Sequence, residues 1–327
     1  MNVHAININQ GDNIAFVGDL HCDTLVPSSR IDNYLETTKN KILDILESCK
    51  AHNIKVLFFA GDIFHRIQTP HETVNEIGEV FMRFRDEGIR VFTIKGNHDI
   101  LRNSLDDFQR SPLQTLLTFG AMTSFSRENP VIINKSVLVM GLDYTDNALP
   151  KAVEAAKCNI LVAHRFYEAS DMLDDGSHNI THEQASKLRY DMIFLGHDHE
   201  PHKDVLVDGK TSIIRSGSIT RGTMHNYNFN RIPYFVMLKN PLEYDRKNII
   251  QIPIKCKPYS EIASSAALNK KMGDSLEGLQ DVLSNLAEKL AEGSETDGDR
   301  IMHIIESDDK LSSSCRAMLL KYISESA

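Results

Sequence analysis

Positive charge is scarce in this sequence: 36 Lys and Arg face 45 Asp and Glu, for a formal charge of -9. That excludes a protein that coats nucleic acid through a broad basic face, so a polyanionic ligand would have to be attracted locally. Bound divalent cations would supply such an attraction. No apolar run approaches the roughly 18 residues of a membrane span, and Met1 to Gly11 lack the basic-then-apolar pattern of a secretory signal. A soluble, cytoplasmic protein without membrane contact is expected. The five cysteines (22, 49, 158, 256 and 315) are odd in number and contain no Cys-x-x-Cys pair, which argues against a disulfide framework or a thiolate zinc site. A Gly-x-x-x-x-Gly-Lys-Ser/Thr phosphate loop is also missing, so any use of ATP must come from a partner.

What is present is a chain of 327 residues, 41% hydrophobic, enough for one sizeable core with a smaller appendage. Apolar runs at 14–18, 56–60, 91–95, 137–141, 160–164 and 192–196 read as buried strands, and 31–53 and 73–88 as helices between them. This alternation predicts an α/β fold. Four further strands, at 204–207, 212–215, 233–239 and 248–254, imply a second sheet. Beyond about Pro258 the composition turns to Ser, Ala, Leu, Lys and Glu, with a polar break near 293. The expected domains are 1–258 catalytic, 259–292 a reduced cap or helical linker, 293–298 a flexible linker and 299–327 paired amphipathic helices.

Polar clusters follow the strands. Gly18-Asp19-Leu20-His21, Gly61-Asp62, Gly96-Asn97-His98-Asp99, His164 and Gly196-His197-Asp198-His199 each stand where a buried run ends. In open α/β sheets that edge is where ligands bind. Imidazole, carboxylate and amide donors suit manganese, iron or zinc better than an all-oxygen calcium site. The candidate ligands of a dinuclear centre are therefore Asp19, His21, Asp62, Asn97, His164, His197 and His199. Asp62, alone on its strand end, is the expected bridge. Any one of these blocks also occurs as ordinary structure, but all of them in order are hard to obtain by chance. Arg165, Ser218 and Arg221 are candidate contacts to a substrate backbone, and His65, His71, His202 and His225 read as surface or structural.

These blocks, over roughly residues 14 to 222, resemble the calcineurin-like metallophosphoesterase superfamily. Within it, Gly61-Asp62-Ile63-Phe64-His65, Gly96-Asn97-His98-Asp99 and Ser216-Gly217-Ser218 are most similar to SbcD-type DNA repair and recombination nucleases, including phage versions. Ser216 replaces the usual proline, and the region after Ile254 is short for that family's DNA-capping domain. The resemblance implies a four-layer α/β/β/α sandwich of two mixed sheets with a short C-terminal helical extension. It also implies two divalent ions, manganese first, with iron or zinc as alternatives. Asp19, His21, Asp62 and His199 would hold one, and Asp62, Asn97, His164 and His197 the other. His98 would protonate the leaving oxygen, oriented by Asp99. The implied partners are DNA, an SbcC-type coiled-coil ATPase docked on the C-terminal helices, and a second copy of the chain. The implied setting is the cytoplasm of a bacterium or a phage-infected host. Two other readings fit the same residues: a small-molecule phosphodiesterase or phosphomonoesterase, and a noncatalytic scaffold of this fold.

Overall fold

The computed structural model describes residues 3–100, 108–168, 179–223 and 225–264. The segments beyond 264 that are expected to form a linker and docking helices lie outside the described residues.

The described residues form fifteen strands, in chain order β1 (His4–Ile6), β2 (Asn13–Val17), β3 (Ile54–Phe59), β4 (Arg90–Thr93), β5 (Thr123–Ser124), β6 (Val131–Ile133), β7 (Val137–Leu142), β8 (Cys158–His164), β9 (Phe166–Glu168), β10 (Asn179–Thr181), β11 (Met192–Gly196), β12 (Val205–Val207), β13 (Thr211–Ile214), β14 (Tyr234–Leu238) and β15 (Ile249–Pro253). Among the described residues five α-helices accompany them: α1 (Tyr34–Ala51), α2 (His71–Asp86), α3 (Pro112–Thr118), α4 (His182–Leu188) and α5 (Tyr259–Ile262). One sheet runs β15-β14-β2-β3-β4-β5 and the other β1-β6-β7-β8-β11-β13-β12, with β9 and β10 paired apart from both. β2, β3, β4 and β5 are mutually parallel, as are β7, β8, β11 and β13. Both sheets are mixed, because β14 and β12 join them antiparallel.

The central strands are apolar on both faces because each face meets a different layer. In β2, Ile14 and Phe16 point into the core between the sheets, while Ala15 and Val17 point toward the α1 and α2 side. Likewise β8 turns Ile160 and Val162 inward and Leu161 and Ala163 toward α4. The rings of Phe16 and Phe194 meet across the sheets at 5.6 Å, and Phe58 lies against both Phe16 and Phe92. The result is the four-layer sandwich with two mixed sheets.

Helix α1 starts where Asn33 accepts a hydrogen bond from the Glu36 amide, and buries Leu35, Thr38, Ile42, Ile45 and Cys49 at helical spacing. The late strands differ from expectation in one respect. They form no sheet of their own: β12 and β13 extend the sheet of β11, whereas β14 and β15 extend that of β2. Each hairpin thereby covers an edge of an existing sheet instead of creating two new ones. The compact unit runs on through Ala263, with Tyr259, Ile262 and Ala263 buried and Ala263 bridged to Arg30. No described helix is long and apolar enough to cross a membrane.

Candidate metal centre

The two sets of parallel strands bring their carboxyl ends to one edge of the sandwich. From β2 come Asp19 and His21, from β3 Asp62, from β4 Asn97 and His98, from β8 His164, and from β11 His197 and His199. The loops are tied to one another by backbone bonds. The amides of Leu20 and His21 donate to the Asp62 carbonyl, and Ile219 and Ser218 donate to the carbonyls of Asp19 and His199. Close approach requires small residues. A Cβ on Gly96 would lie 2.0 Å from Asp62 Oδ1, and one on Gly18 would lie 2.2 Å from the Gly217 carbonyl oxygen. His21, Asp62 and His197 all adopt positive φ, at 49°, 48° and 83°. Left-handed backbone at three non-glycine donors is strain concentrated at a functional edge.

The donor atoms crowd around Asp62. His21 Nε2 and His199 Nε2 are 2.8 Å apart, and His164 Nε2 lies 2.9 Å from Asn97 Oδ1 and 3.2 Å from His197 Nδ1. Asp62 Oδ2 is 3.3 Å from His164 Nε2 and 3.6 Å from His21 Nε2, yet it is buried without a hydrogen-bond partner. Such an orphaned buried carboxylate oxygen is costly unless a cation sits against it. One donor group comprises Asp19, His21, Asp62 and His199, and another Asp62, His164 and His197, each with its atoms within 4.8 Å of one another. Asp62 belongs to both. The cluster is able to hold metal, and its nitrogen and oxygen donors fit first-row divalent ions.

The electrostatics agree. Burial pushes Asp19 up to about 7, helped by the neighbouring Asp62 charge. For Asp62 burial acts in the same direction, but His164, His21 and His98 overcome it and hold the carboxyl well below its usual range. Burial, with His164 beside it, lowers His197 to about 3, leaving a neutral ring suited to ligation.

His98 donates its backbone amide to Asp62 Oδ1 at 2.9 Å and sets its Nδ1 2.7 Å from the His65 carbonyl oxygen. A carbonyl partner makes Nδ1 the donor and leaves Nε2 as the acceptor nitrogen of the neutral ring. Here the expectation that Asp99 orients His98 is corrected. The Asp99 carboxylate is buried against the Gly96 amide at 2.9 Å, so it shapes the loop, while the His65 backbone fixes the imidazole. The His65 ring stacks on His98 at 5.0 Å, and its Nδ1 lies 3.4 Å from His21 Nδ1. His65 is exposed, as its residue type suggests, and also borders the site; its place three residues after Asp62 is the available signal for that. Phe166, 4.2 Å from the His197 ring, also borders the site and carries no sequence signal.

Arg165, Ser218 and Arg221 lie at the same edge but are buried and turned onto the protein's own carbonyls. Arg165 donates to Tyr144 at 2.6 Å, to His164 at 3.2 Å and to Asp146. Ser218 Oγ donates to the Thr220 carbonyl at 2.6 Å, and Arg221 to the Lys257 and Arg231 carbonyls. These contacts anchor loops, because donors already committed inside the protein are not presented to a substrate.

Fold and site together define a metal-dependent hydrolase of phosphate esters. The family model for calcineurin-like phosphoesterases matches residues 13–201, and the chain belongs to that family. It is similar to the DNA double-strand break repair protein Mre11 of Methanococcus maripaludis, with 21% identity over 240 residues, 69% of this chain and 64% of that protein. Similarity to the protein of the same name from Archaeoglobus fulgidus is 27% over 200 residues, 54% of this chain and 43% of that one. The chain thus spans less than two thirds of the length of these curated relatives. Among solved structures, TT1561 of Thermus thermophilus superposes with a TM-score of 0.47 and 8% identity, covering 75% of this chain and 99% of that one.

Proposed function

We propose that the chain is a two-metal phosphodiesterase acting on DNA, the nuclease subunit of an SbcCD-type repair or recombination complex. The observation that carries the chemistry is the unpartnered Asp62 Oδ2, shared by two groups of inward-facing donors. Asp19, His21, Asp62 and His199 would hold one divalent ion, with manganese the first choice. Asp62, Asn97, His164 and His197 would hold the second. Bound there, two dications would supply Lewis acidity toward the phosphoryl oxygens and would lower the pKa of a water.

The protein's own groups do the rest. Asp62 keeps the donors in register through its bond to the His98 amide. His98, held at Nδ1 by the His65 carbonyl, presents Nε2 to the leaving oxygen and, when protonated, donates a proton to it. The DNA assignment draws on similarity to two proteins named for double-strand break repair. The proposed ATPase dock at 299–327 lies outside the described residues. Incubating the full chain with manganese and single- or double-stranded DNA tests the reading, alone and with an SbcC-type ATPase. Intact DNA beside rapid turnover of nucleotides or model phosphate esters would favour the small-molecule hydrolase instead.

A further inference from the structure

The loop 217–221 joins the metal donors to a group of cations. It belongs to no strand or helix, so its backbone groups find partners elsewhere. Two of its amides go to the donors: Ser218 donates to the His199 carbonyl at 3.2 Å and Ile219 to the Asp19 carbonyl at 3.0 Å. Its carbonyls go to cations. Arg231 Nη2 donates to Ser218 at 2.6 Å and to Thr220 at 3.4 Å, Lys41 Nζ to Ile219 at 2.7 Å, and Arg30 Nη1 to Arg221 at 3.0 Å. Three cationic side chains thus hold four consecutive carbonyls.

The cations come from separate parts of the chain. Lys41 lies on α1, Arg30 precedes that helix, and Arg231 precedes β14. Tyr34, about two turns before Lys41 on the same helix, donates its hydroxyl to the His21 carbonyl at 3.4 Å. One helix therefore reaches both the loop and a donor. As a source of stability, however, the group is poorly built. Lys41, Arg30 and Arg221 are buried, and Arg221 Nε and Arg231 Nη1 have no hydrogen-bond partner. Among the described residues the one carboxylate bonded to any of the four is Asp32, which Arg30 meets through two bonds of 2.7 Å. Like charges withdrawn from water with so little compensation oppose folding. Burial, reinforced by Arg221 and Arg30, accordingly lowers the Lys41 ammonium to about 7.

A local rule broken without gain for the fold marks a functional device. We infer that Lys41, with Arg30 and Arg231, is a positioning residue for the ion held by Asp19, His21, Asp62 and His199, acting on Asp19 and His199 through the 217–221 loop. The inference rests on the reading of the site as a two-metal centre and is independent of the substrate. The Ser218 carbonyl and the Ile219 amide belong to one peptide unit, so the Arg231 cation on the first strengthens the bond of the second to Asp19. Lys41 holds Ile219 from its other side, at the carbonyl. Among the described residues the loop bonds to none of Asn97, His164 and His197, so the other ion lies outside its direct reach.

The test uses Lys41→Met, which keeps a buried apolar stem and removes the donor. Manganese alone is titrated into the metal-free full chain at about pH 7, where the ammonium is still largely charged. Calorimetry reads the affinities, and electron paramagnetic resonance reads the coupling between ions. Wild type should bind two ions and give the exchange-coupled spectrum of a close manganese pair. Lys41→Met should hold one ion as wild type does and the other roughly 10–100-fold more weakly, the scale for losing a group that orients a ligand. Manganese just sufficient to fill wild type should then give the spectrum of isolated ions. Arg231→Met, which frees the Ser218 carbonyl, should show the same loss.

A second readout separates positioning from support of the fold. The metal-free denaturation midpoint of Lys41→Met should equal or exceed that of wild type, because the buried charge is gone. Two ions bound by Lys41→Met with unchanged affinities would overturn the inference and leave the metal centre standing. A metal-free Lys41→Met chain that is unfolded or clearly less stable would also overturn it, since Lys41 would then support the fold itself. Fewer than two ions in wild type would remove the metal centre and the inference together.

Discussion

The backbone amide of His98 donates to Asp62 Oδ1 at 2.9 Å, so the residue expected to handle the leaving group also fixes the carboxylate shared by both donor groups. The other oxygen, Oδ2, has no hydrogen-bond partner and lies 3.3 Å from His164 Nε2 and 3.6 Å from His21 Nε2. Acid and bridge are therefore positioned by one bond, and disturbing either carries over to the other.

Asp62→Asn should reduce the metal content below two ions per chain and lower phosphodiesterase activity by about 10³-fold or more, equivalent to roughly 4 kcal/mol of transition-state stabilisation. Elemental analysis beside a model-diester assay checks this. Two retained ions with near-normal turnover would refute the bridging role.

Gly96→Ala tests the packing behind the bridge. The added Cβ would fall 2.0 Å from Asp62 Oδ1 and 2.5 Å from the Asp62 amide nitrogen, so the carboxylate has to move. A displacement of about 1 Å costs on the order of 10²-fold in rate. The expected result is that loss in kcat with far-ultraviolet circular dichroism unchanged.

Metal removal should destabilise the fold. The donor nitrogens of His21 and His199, and of His164 and His197, are crowded against one another, and any ion that binds the folded state alone adds stability. The gain is roughly 2.7 kcal/mol when free metal is 100 times its dissociation constant. Scanning calorimetry should show the transition temperature rising as manganese is titrated into chelated protein. A temperature independent of metal would count against a built site.

Arg165→Ala is predicted to act on stability. Truncation strips donors from the carbonyls of Tyr144, Asp146 and His164. Buried acceptors left unpaired cost about 1–3 kcal/mol each, with part recovered through water. Urea midpoints should fall clearly. A raised KM at unchanged stability would instead return Arg165 to the substrate.

Lys41 carries a pH signature away from the metal donors. Burial, reinforced by Arg221 and Arg30, lowers its ammonium from 10.5 to about 7, and its one recorded bond is to the Ile219 carbonyl at 2.7 Å. The unfolded chain keeps the proton up to about 10.5, so between pH 7 and 10.5 the unfolded state binds more protons and stability rises with pH. Below about 7 both states are protonated and the burial penalty is fully present. Denaturation midpoints from pH 7 to 9 should climb in the wild type relative to Lys41→Met. Parallel profiles would show that Lys41 does not titrate in that window.

Much of the fold is legible in the sequence because the central strands are buried on both faces and read as unbroken apolar runs, as in Ile14–Val17 and Ile160–Ala163. The polar residues immediately after them mark the functional edge for the same reason. The destination of the late hairpins is not legible. β14 pairs with β2 from the opposite end of the unit, and nothing local to either strand encodes that choice. The support of His98 is equally hidden, since it comes from a backbone carbonyl that every residue possesses. Nor does an arginine after a metal donor announce whether carbonyls inside the protein will claim its guanidinium, as they do for Arg165.

The most direct test is a DNA cleavage assay of manganese-loaded wild type beside His98→Ala, with metal content measured on the same samples. Wild type should cut DNA, and His98→Ala should retain two ions per chain while losing about 10²-fold or more of the cleavage rate. Wild-type protein with two ions that leaves DNA intact, or His98→Ala that cuts as fast as wild type, would contradict the account.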